Sequence, residues 1–246
     1  MAECVFQRAR SPEQKAERRA QILAAAATFF EQERFEAISL ASIARRAGVT
    51  KAALYRYFPS KEALFLGLYL DELERVSHAP VDDSLPLWQA LSEMLVARPL
   101  FCRLTAILHS VLEQNLDETA ALAFKQSLLA HFAQLAQRLQ QAYGLSSDKA
   151  ATYLMQVQQT LIGCWAVSHP APVVEKVLNA PGLDLFRVDF KTALQAQLKA
   201  LTAGQSNKLA ADPVYAAKRA ETEELDRIAE LKRRAANGSG GVMAIG

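Results

Sequence analysis

Residues 39–61 read SLASIARRAGVTKAALYRYFPSK, and in this segment the charge of the chain is markedly uneven. The segment carries five basic side chains, two tyrosines and no acidic residue, although the 246-residue chain has a formal net charge of only +2. Two short helical patterns flank Gly48 within it. The segment therefore predicts a small, basic, helical surface, which suits a polyanion such as DNA.

The order helix, short glycine-containing turn, helix is that of a helix-turn-helix. Leu40, Ile43 and Ala47 give the first helix an apolar face, and Gly48 lets the chain turn. The second helix then leaves four side chains on or near its outer face: Lys51, Ala52, Tyr55 and Arg56. This pattern favours DNA binding, with Lys51 reaching guanine or phosphate. A solvated basic face that never contacts DNA is the alternative.

Three stretches in this part of the chain resemble the N-terminal domain of TetR-family transcriptional regulators. They are QILAAA from Gln21, SLASIARRAGVTK from Ser39 and ALYRYFPSKEAL from Ala53, and the match covers roughly residues 15–70. The resemblance implies an all-α homodimer. It also implies an N-terminal three-helix helix-turn-helix domain, whose third helix enters the major groove, and a larger C-terminal helical domain for ligand binding and dimerisation.

The resemblance further implies two sets of DNA contacts. The positions that read bases in the family match Lys51, Ala52 and Tyr55. The positions that contact phosphate match Thr50, Tyr57 and Lys61, with Ser39 and Arg56 as additions. Arg45 and Arg46 extend the positive field and are weaker candidates, since exposed charges on a helix are usually only solvated.

Two residues depart from the family pattern. Arg34 stands before Phe35 where family members often have glycine, and a positive backbone angle there would cost about 1 kcal/mol. Ala52 stands where the family usually has glycine, and its methyl group could contact thymine or push the helix outward. We expect the second departure to affect the operator preference and not DNA binding itself.

Helical patterns and their breaks predict four parts: a basic N-terminal arm at 1–14, the helix-turn-helix domain at 15–62, a helical ligand-binding and dimerisation domain at 63–203, and a partly helical extension with a flexible end at 204–246. In the larger domain we expect helices at about 86–97, 99–116, 117–143, 147–168 and 184–203. A charged helix at about 213–235 has an open role. The basic residues near the N-terminus fit either a mobile DNA-contacting arm or charge pairs on the first helix.

The helices at 147–168 and 184–203 carry broad apolar stripes. In the family the last two long helices of the domain usually form a four-helix seam between two protomers, so the resemblance implies a homodimer through these segments. Ordinary packing inside one chain is the competing interpretation for about half of the stripe residues.

Polar groups that interrupt apolar stripes indicate a binding cavity. Gln158 interrupts the stripe of the helix at 147–168, and the other candidates are polar or aromatic residues in register with apolar neighbours. The expected effector-binding residues are Phe101, Arg103, His109, Phe124, His131, Met155, Gln158 and Trp165. Each of them could alone be an ordinary buried or boundary residue. Together they predict a small, mostly apolar ligand that is uncharged or weakly anionic.

Several classes of function fit the sequence poorly. Cys4, Cys102 and Cys164 are far apart and favour neither a disulfide framework nor a zinc site. The longest apolar run is far shorter than the roughly 20 residues of a membrane span, so we expect a cytoplasmic protein without membrane contact. A glycine-rich phosphate loop and the H-E-x-x-H and G-x-S-x-G motifs are absent, so we expect neither an enzyme nor a cofactor.

The function that these features favour is a ligand-responsive repressor. It would bind a palindromic DNA operator as a homodimer and be released by a small effector. A helical protein-interaction module and an activator-type regulator with the same fold are the alternatives.

Overall fold

The computed structural model describes residues 11–209, and the following account concerns these residues. Most of the predicted N-terminal arm, the predicted helix at 213–235 and Cys4 lie outside them. The described residues contain helices and no strand, so the predicted all-α fold is confirmed.

Ten α-helices follow one another along the chain: α1 (Pro12–Gln32), α2 (Leu40–Arg46), α3 (Lys51–Tyr57), α4 (Lys61–His78), α5 (Leu87–Val96), α6 (Pro99–Ile107), α7 (Glu118–Tyr143), α8 (Ser147–Ser168), α9 (Pro172–Val177) and α10 (Phe190–Leu209). Short 3₁₀ turns occupy Phe35–Ala37 and Asp184–Phe186, and a π-helical turn occupies Leu108–Leu112.

The first four helices begin at hydroxyl caps. Ser11, Ser39, Thr50 and Ser60 each accept a hydrogen bond from the backbone N–H three residues later, which satisfies a donor that the helix leaves unpaired. Between α2 and α3 the chain turns at Gly48, whose φ of +63° lies in the left-handed region that glycine tolerates. The helix-turn-helix geometry is therefore fixed by local sequence.

Aromatic packing joins the first helices to α4. The Phe65 ring lies edge-on to Phe30 at 5.2 Å and to Phe35 at 5.1 Å between centroids. Arg34, which precedes this cluster, has a φ of −72° and an extended backbone. The conformational cost considered for an arginine at this position is therefore not incurred.

The helix α4 continues from this cluster into a second bundle formed with α6, α7 and α8. Tyr69 of α4 is fully buried there and stacks on Phe101 of α6 at 5.6 Å between centroids. The described residues up to Lys199 form one compact unit. One helix thus carries side chains into the cores of both bundles.

Three features differ from the helices expected from the sequence. The helix expected at 99–116 gives way to the π-helical turn at Leu108, where the Glu113 N–H reaches the carbonyl of Leu108 at 3.1 Å. The short α9 lies in a segment expected to be a connection. The helix expected from 184 begins only at Phe190, because Asp189 caps it by accepting from the Thr192 N–H at 2.9 Å.

Within residues 11–209, no single helix has the length and apolar character to cross a bilayer. The segments α5 and Pro99–Leu112 have them only when taken together, and this pair is bent by 91°.

Candidate nucleic-acid interface and effector cavity

The short α3 separates a buried face from an exposed face. Ala53 and Leu54 are buried against α2, and the Thr50 hydroxyl accepts from the Ala53 N–H at 3.1 Å. At the other end the Phe58 N–H donates to the carbonyl of Leu54, and the Phe58 ring is buried. A helix of this length is about 10 Å long, which is close to the width of about 12 Å of the DNA major groove.

The exposed face of α3 carries the predicted contact residues. Lys51, Ala52, Tyr55 and Arg56 are all exposed, as is Thr50 at the cap. The Lys51 ammonium lies 5.8 Å from the centroid of the Tyr55 ring one turn later, so a cation and an aromatic hydroxyl are adjacent on this surface. The Tyr55 side chain is 43% exposed, so its ring and hydroxyl are accessible to a partner.

The helix α2 extends the positive surface. Arg45 and Arg46 are exposed in its last turn, and Ser39 is exposed at its N-cap, where its hydroxyl lies 2.8 Å from that of Ser42. Within residues 11–209, no carboxylate pairs with Arg45, Arg46, Lys51 or Arg56. The positive charge of this surface is therefore not neutralised by neighbouring side chains.

Two predicted contact residues, Tyr57 and Lys61, are only half-exposed. The Lys61 ammonium donates to the backbone carbonyls of Phe35 and Glu36 and lies 4.2 Å from the centroid of the Phe35 ring. Burial lowers the pKa of this ammonium, while the nearby carboxylates Glu36 and Glu62 oppose the shift. Lys61 thus ties the start of α4 to the turn after α1, and its phosphate contact stays a prediction.

A second site lies in the rear bundle, where α4 to α8 enclose a cavity of about 40 Å³. Its walls are apolar side chains of all five helices, among them Tyr69, Leu73, Phe101 and Leu161. Thr105 and Gln158 are the polar exceptions, and none of the described residues that line the cavity is charged. A cavity of this character suits an apolar molecule.

The structure brings two of the eight predicted effector residues, Phe101 and Gln158, to the lining of this cavity. Phe124 is buried one shell further out, with its ring 6.1 Å from that of Tyr69. The remaining five lie elsewhere: Arg103, His109, His131, Met155 and Trp165. Their assignment to an effector site therefore gains no support from this cavity.

Their positions have local explanations. The Arg103 guanidinium donates to the carbonyls of Phe30 and Glu33 at the end of α1. The imidazole of His109 lies 3.1 Å from the carboxylate of Glu113, and both residues are near the surface end of the π-helical turn. Both side chains therefore have partners outside the cavity: Arg103 between two helices and His109 near the protein surface.

The other three lie on α7 and α8. Met155 is 48% exposed, and His131 is half-buried. Trp165 stacks on His169 at 3.8 Å and meets Phe190 of α10 edge-on at 5.0 Å. The tryptophan therefore joins α8 to α10 instead of lining the cavity.

Sequence reasoning missed most of the cavity wall. Tyr69, Leu73 and Val76 line it from α4, and their spacing of four and three residues is a helical stripe that the sequence displays. Met94 lines it from α5. The stripe could have been found, but nothing in the sequence specifies which side of a buried stripe meets a void.

In this chain an exposed basic helix-turn-helix precedes an all-helical bundle with an apolar cavity. This combination is typical of one class of proteins, the helical one-component regulators. Two family models match this chain: bacterial regulatory proteins of the tetR family over residues 22–68, and the tetracyclin repressor-like C-terminal domain over residues 67–208. The second match covers more than half of the chain. The chain belongs to the TetR family of transcriptional regulators.

Individual relatives match over shorter stretches. The nucleoid occlusion factor SlmA of Alteromonas mediterranea is 50% identical over 54 residues, which are 22% of this chain and 28% of that protein. The transcriptional regulator EthR of Mycolicibacterium smegmatis is 34% identical over 82 residues, or 33% of this chain and 37% of that protein. The chain thus matches only about a third of the length of these relatives.

A solved structure agrees over most of the chain. The crystal structure of a TetR-family regulator from Streptomyces coelicolor superposes with a TM-score of 0.53, covering 89% of this chain and 98% of that chain at 16% sequence identity. At this identity the likeness concerns the fold. Within the part of the chain that the structure describes, no cluster of His, Cys, Asp or Glu is arranged to hold a metal ion.

Proposed function

We propose that this protein is a repressor that binds a palindromic operator as a homodimer and is released by a small, mostly apolar effector. Residues 15–62 would form the DNA-binding domain and residues 63–203 the effector-binding and dimerisation domain. The observation that carries the proposal is the outer face of α3, where exposed Lys51, Tyr55 and Arg56 have no described acidic neighbour.

In this proposal Lys51, Ala52 and Tyr55 contact base edges in the major groove. Thr50, Arg56, Tyr57, Lys61 and Ser39 contact the backbone and fix the register of the helix. Two copies of α3 related by a two-fold axis would enter successive major grooves, about 34 Å apart, which accounts for a palindromic operator.

Effector release follows from the connection between the cavity and α3. The cavity wall includes Tyr69, Leu73 and Val76 of α4, and the same helix contributes Phe65 to the front core. A ligand that prefers a shifted α4 lowers the DNA affinity by the factor by which DNA lowers the ligand affinity. A coupling free energy of about 1–3 kcal/mol gives about 5- to 150-fold release.

The proposal predicts that replacing Lys51 and Tyr55 together with alanine strongly weakens specific binding. DNA sites are selected in vitro with the full chain, and fluorescence anisotropy then gives the affinity for the selected duplex. The double variant should lose about 2–6 kcal/mol of binding free energy, since each base contact is worth about 1–3 kcal/mol. Both side chains are exposed, so the thermal unfolding midpoint should not change.

The matched control is the pair Leu122→Ala and Lys125→Ala, which truncates an exposed apolar residue and a lysine on α7. This control should bind the selected duplex as the parent does. Parent binding should also weaken steeply with salt, because phosphate contacts release counterions. Equal affinities of the Lys51/Tyr55 variant and the parent would refute the assignment of the α3 face.

A further inference from the structure

A second pocket adjoins the apolar cavity. It has a volume of about 210 Å³, opens to solvent and lies between the end of α4, the following linker and α5. Its lining includes the charged residues Asp82, Glu93 and Arg98. The inner cavity of about 40 Å³ is much smaller than the roughly 300 Å³ or more of a typical ligand site, so an effector that occupies it needs additional space.

Met94 lies between the two spaces, since its half-buried side chain belongs to the lining of both. The Arg98 guanidinium donates to the backbone carbonyl of Met94 at 2.8 Å and so holds the main chain at this point. The methionine side chain itself is unbranched and rotates about three bonds, which makes it the most adaptable part of the wall. A rotation of this side chain would join the two spaces.

Gln158 supplies an unpaired polar group on the inner side. Its side chain is only 8% exposed, and Nε2 has no hydrogen-bond partner among the described residues. An unpaired buried donor costs about 1–3 kcal/mol, so its presence in a native fold calls for an explanation, and a bound partner is one. An acceptor oxygen on a ligand would satisfy it.

The electrostatics of the inner cavity restrict the charge of that ligand. None of the described residues that line it is charged, and an unpaired ion in such surroundings would pay a large desolvation penalty. The Gln158 amide donates a hydrogen bond but carries no net charge to balance a carboxylate or an ammonium group. A ketone, ester or amide oxygen meets these conditions.

We infer that the inner cavity and the outer pocket are two halves of one effector site, separated by Met94. The site takes an uncharged, elongated, mostly apolar molecule whose acceptor oxygen receives a hydrogen bond from Gln158 Nε2. The molecule enters through the outer pocket between α4 and α5. This inference rests on the proposed effector function of the rear bundle and adds the chemical class of the ligand and its route.

The test uses the full chain and the neutral dye Nile red as the reporting ligand. Bound dye is displaced by 2-octanone, octane or octanoate, which have equal carbon numbers and differ in their polar group. In the parent, 2-octanone should displace the dye about tenfold more effectively than octanoate. Gln158→Leu should weaken the binding of 2-octanone about tenfold and change the binding of octane by less than about twofold, because only the ketone loses a hydrogen bond.

Two further variants complete the design. Met94→Trp should weaken the binding of the ketone and of the alkane together, because the larger and less flexible side chain would keep the two pockets separate. Gln137→Leu, on an exposed glutamine of α7 outside both pockets, is the matched control and should change neither. The thermal unfolding midpoint of each variant verifies that it folds; Gln158→Leu should keep its stability because it removes an unpaired buried donor.

Several results would overturn the inference: no displacement by 2-octanone, stronger binding of octanoate, or equal effects of Gln158→Leu on ketone and alkane. Unchanged binding to Met94→Trp would refute the route.

Operator affinity measured in the same samples distinguishes a failure of the inferred site from a failure of the proposed effector release. If 2-octanone binds as inferred but leaves operator affinity unchanged, the site stands and the proposed effector release fails. If 2-octanone releases DNA equally well from the parent and from Gln158→Leu, the proposed effector release stands and the inferred site fails.

Discussion

Gly67 lies on α4 where the helix passes closest to the aromatic ring of Phe58. A methyl group placed on its Cα would approach Phe58 Cε1 to 2.8 Å and Arg19 Nη2 to 3.4 Å. The Phe58 ring is buried, and the Arg19 guanidinium lies 5.6 Å from its centroid on one face. Since Phe58 ends α3, this close approach fixes the distance between α4 and the candidate recognition helix.

We therefore expect Gly67→Ala to give no gain in stability although alanine is the better helix former. The gain in helix propensity is about 1 kcal/mol, and overpacking a core costs about 1–3 kcal/mol, so chemical denaturation should give an equal or lower free energy of unfolding. Operator affinity should fall as well, because the clash displaces the end of α3. Adding Phe58→Leu should recover part of the loss; a double variant that shows simple additivity would contradict the contact.

At the scale of elements, Arg103 links α6 to the end of α1. Its guanidinium donates to the Phe30 carbonyl and, at 2.8 Å, to the Glu33 carbonyl, and it lies 4.3 Å from the centroid of the Phe30 ring. A cation at this place satisfies carbonyls that the helix end leaves unpaired. Phe101 and Thr105, two residues to either side, line the inner cavity. The cavity wall is thus hydrogen-bonded to the DNA-binding part of the chain.

Arg103→Met keeps most of the apolar stem and removes the hydrogen bonds. We expect it to lower the free energy of unfolding by about 1–2 kcal/mol, because hydrogen bonds from charged groups are worth about 1.5–3 kcal/mol and this one is partly screened by solvent. The comparison variant is Arg187→Met, an exposed arginine whose ion-pair partner, Asp184, is also exposed. It should lose less than about 1 kcal/mol in the same denaturant titration.

The sequence predicted elements well where caps and breaks are local. The bounds expected for the helix at 147–168 are those of α8, and the expected turn at Gly48 separates the two helices of the helix-turn-helix. It failed at one local cap and where the deciding contacts come from distant parts of the chain. The apolar residues of 184–186 fit a helical stripe, but the Asp189 cap starts α10 later. The cavity wall depends on how five helices pack, which no single pattern contains.

At the scale of the whole molecule, α8 presents an exposed face without charge. No Asp, Glu, Lys or Arg occurs between Lys149 and His169. The face consists of five exposed residues spaced three or four apart: Thr152, Met155, Gln159, Gly163 and Ala166. The opposite side of the same helix, including Leu154 and Leu161, is buried within the chain. The buried side of α8 is therefore intrachain core, and the exposed, uncharged side fits the proposed contact with a second copy.

Met155→Glu places a carboxylate in the middle of this face. We expect it to shift the protein toward the monomer and to weaken operator binding, since both half-sites would no longer be held together. Sedimentation velocity measures the first effect and anisotropy the second. Leu129→Glu adds the same charge at a residue of α7 that is 69% exposed. It should leave the sedimentation coefficient unchanged; identical behaviour of the two variants would rule out the α8 face.

The division of α3 into two faces has a consequence for engineering new specificities. Ala53 and Leu54 hold the helix in place, whereas positions 51, 52, 55 and 56 project outward and contribute little to the core. A combinatorial library restricted to these four positions would leave the scaffold intact. Altered DNA targets could then be selected from one parent protein without a parallel search for compensating stabilising changes.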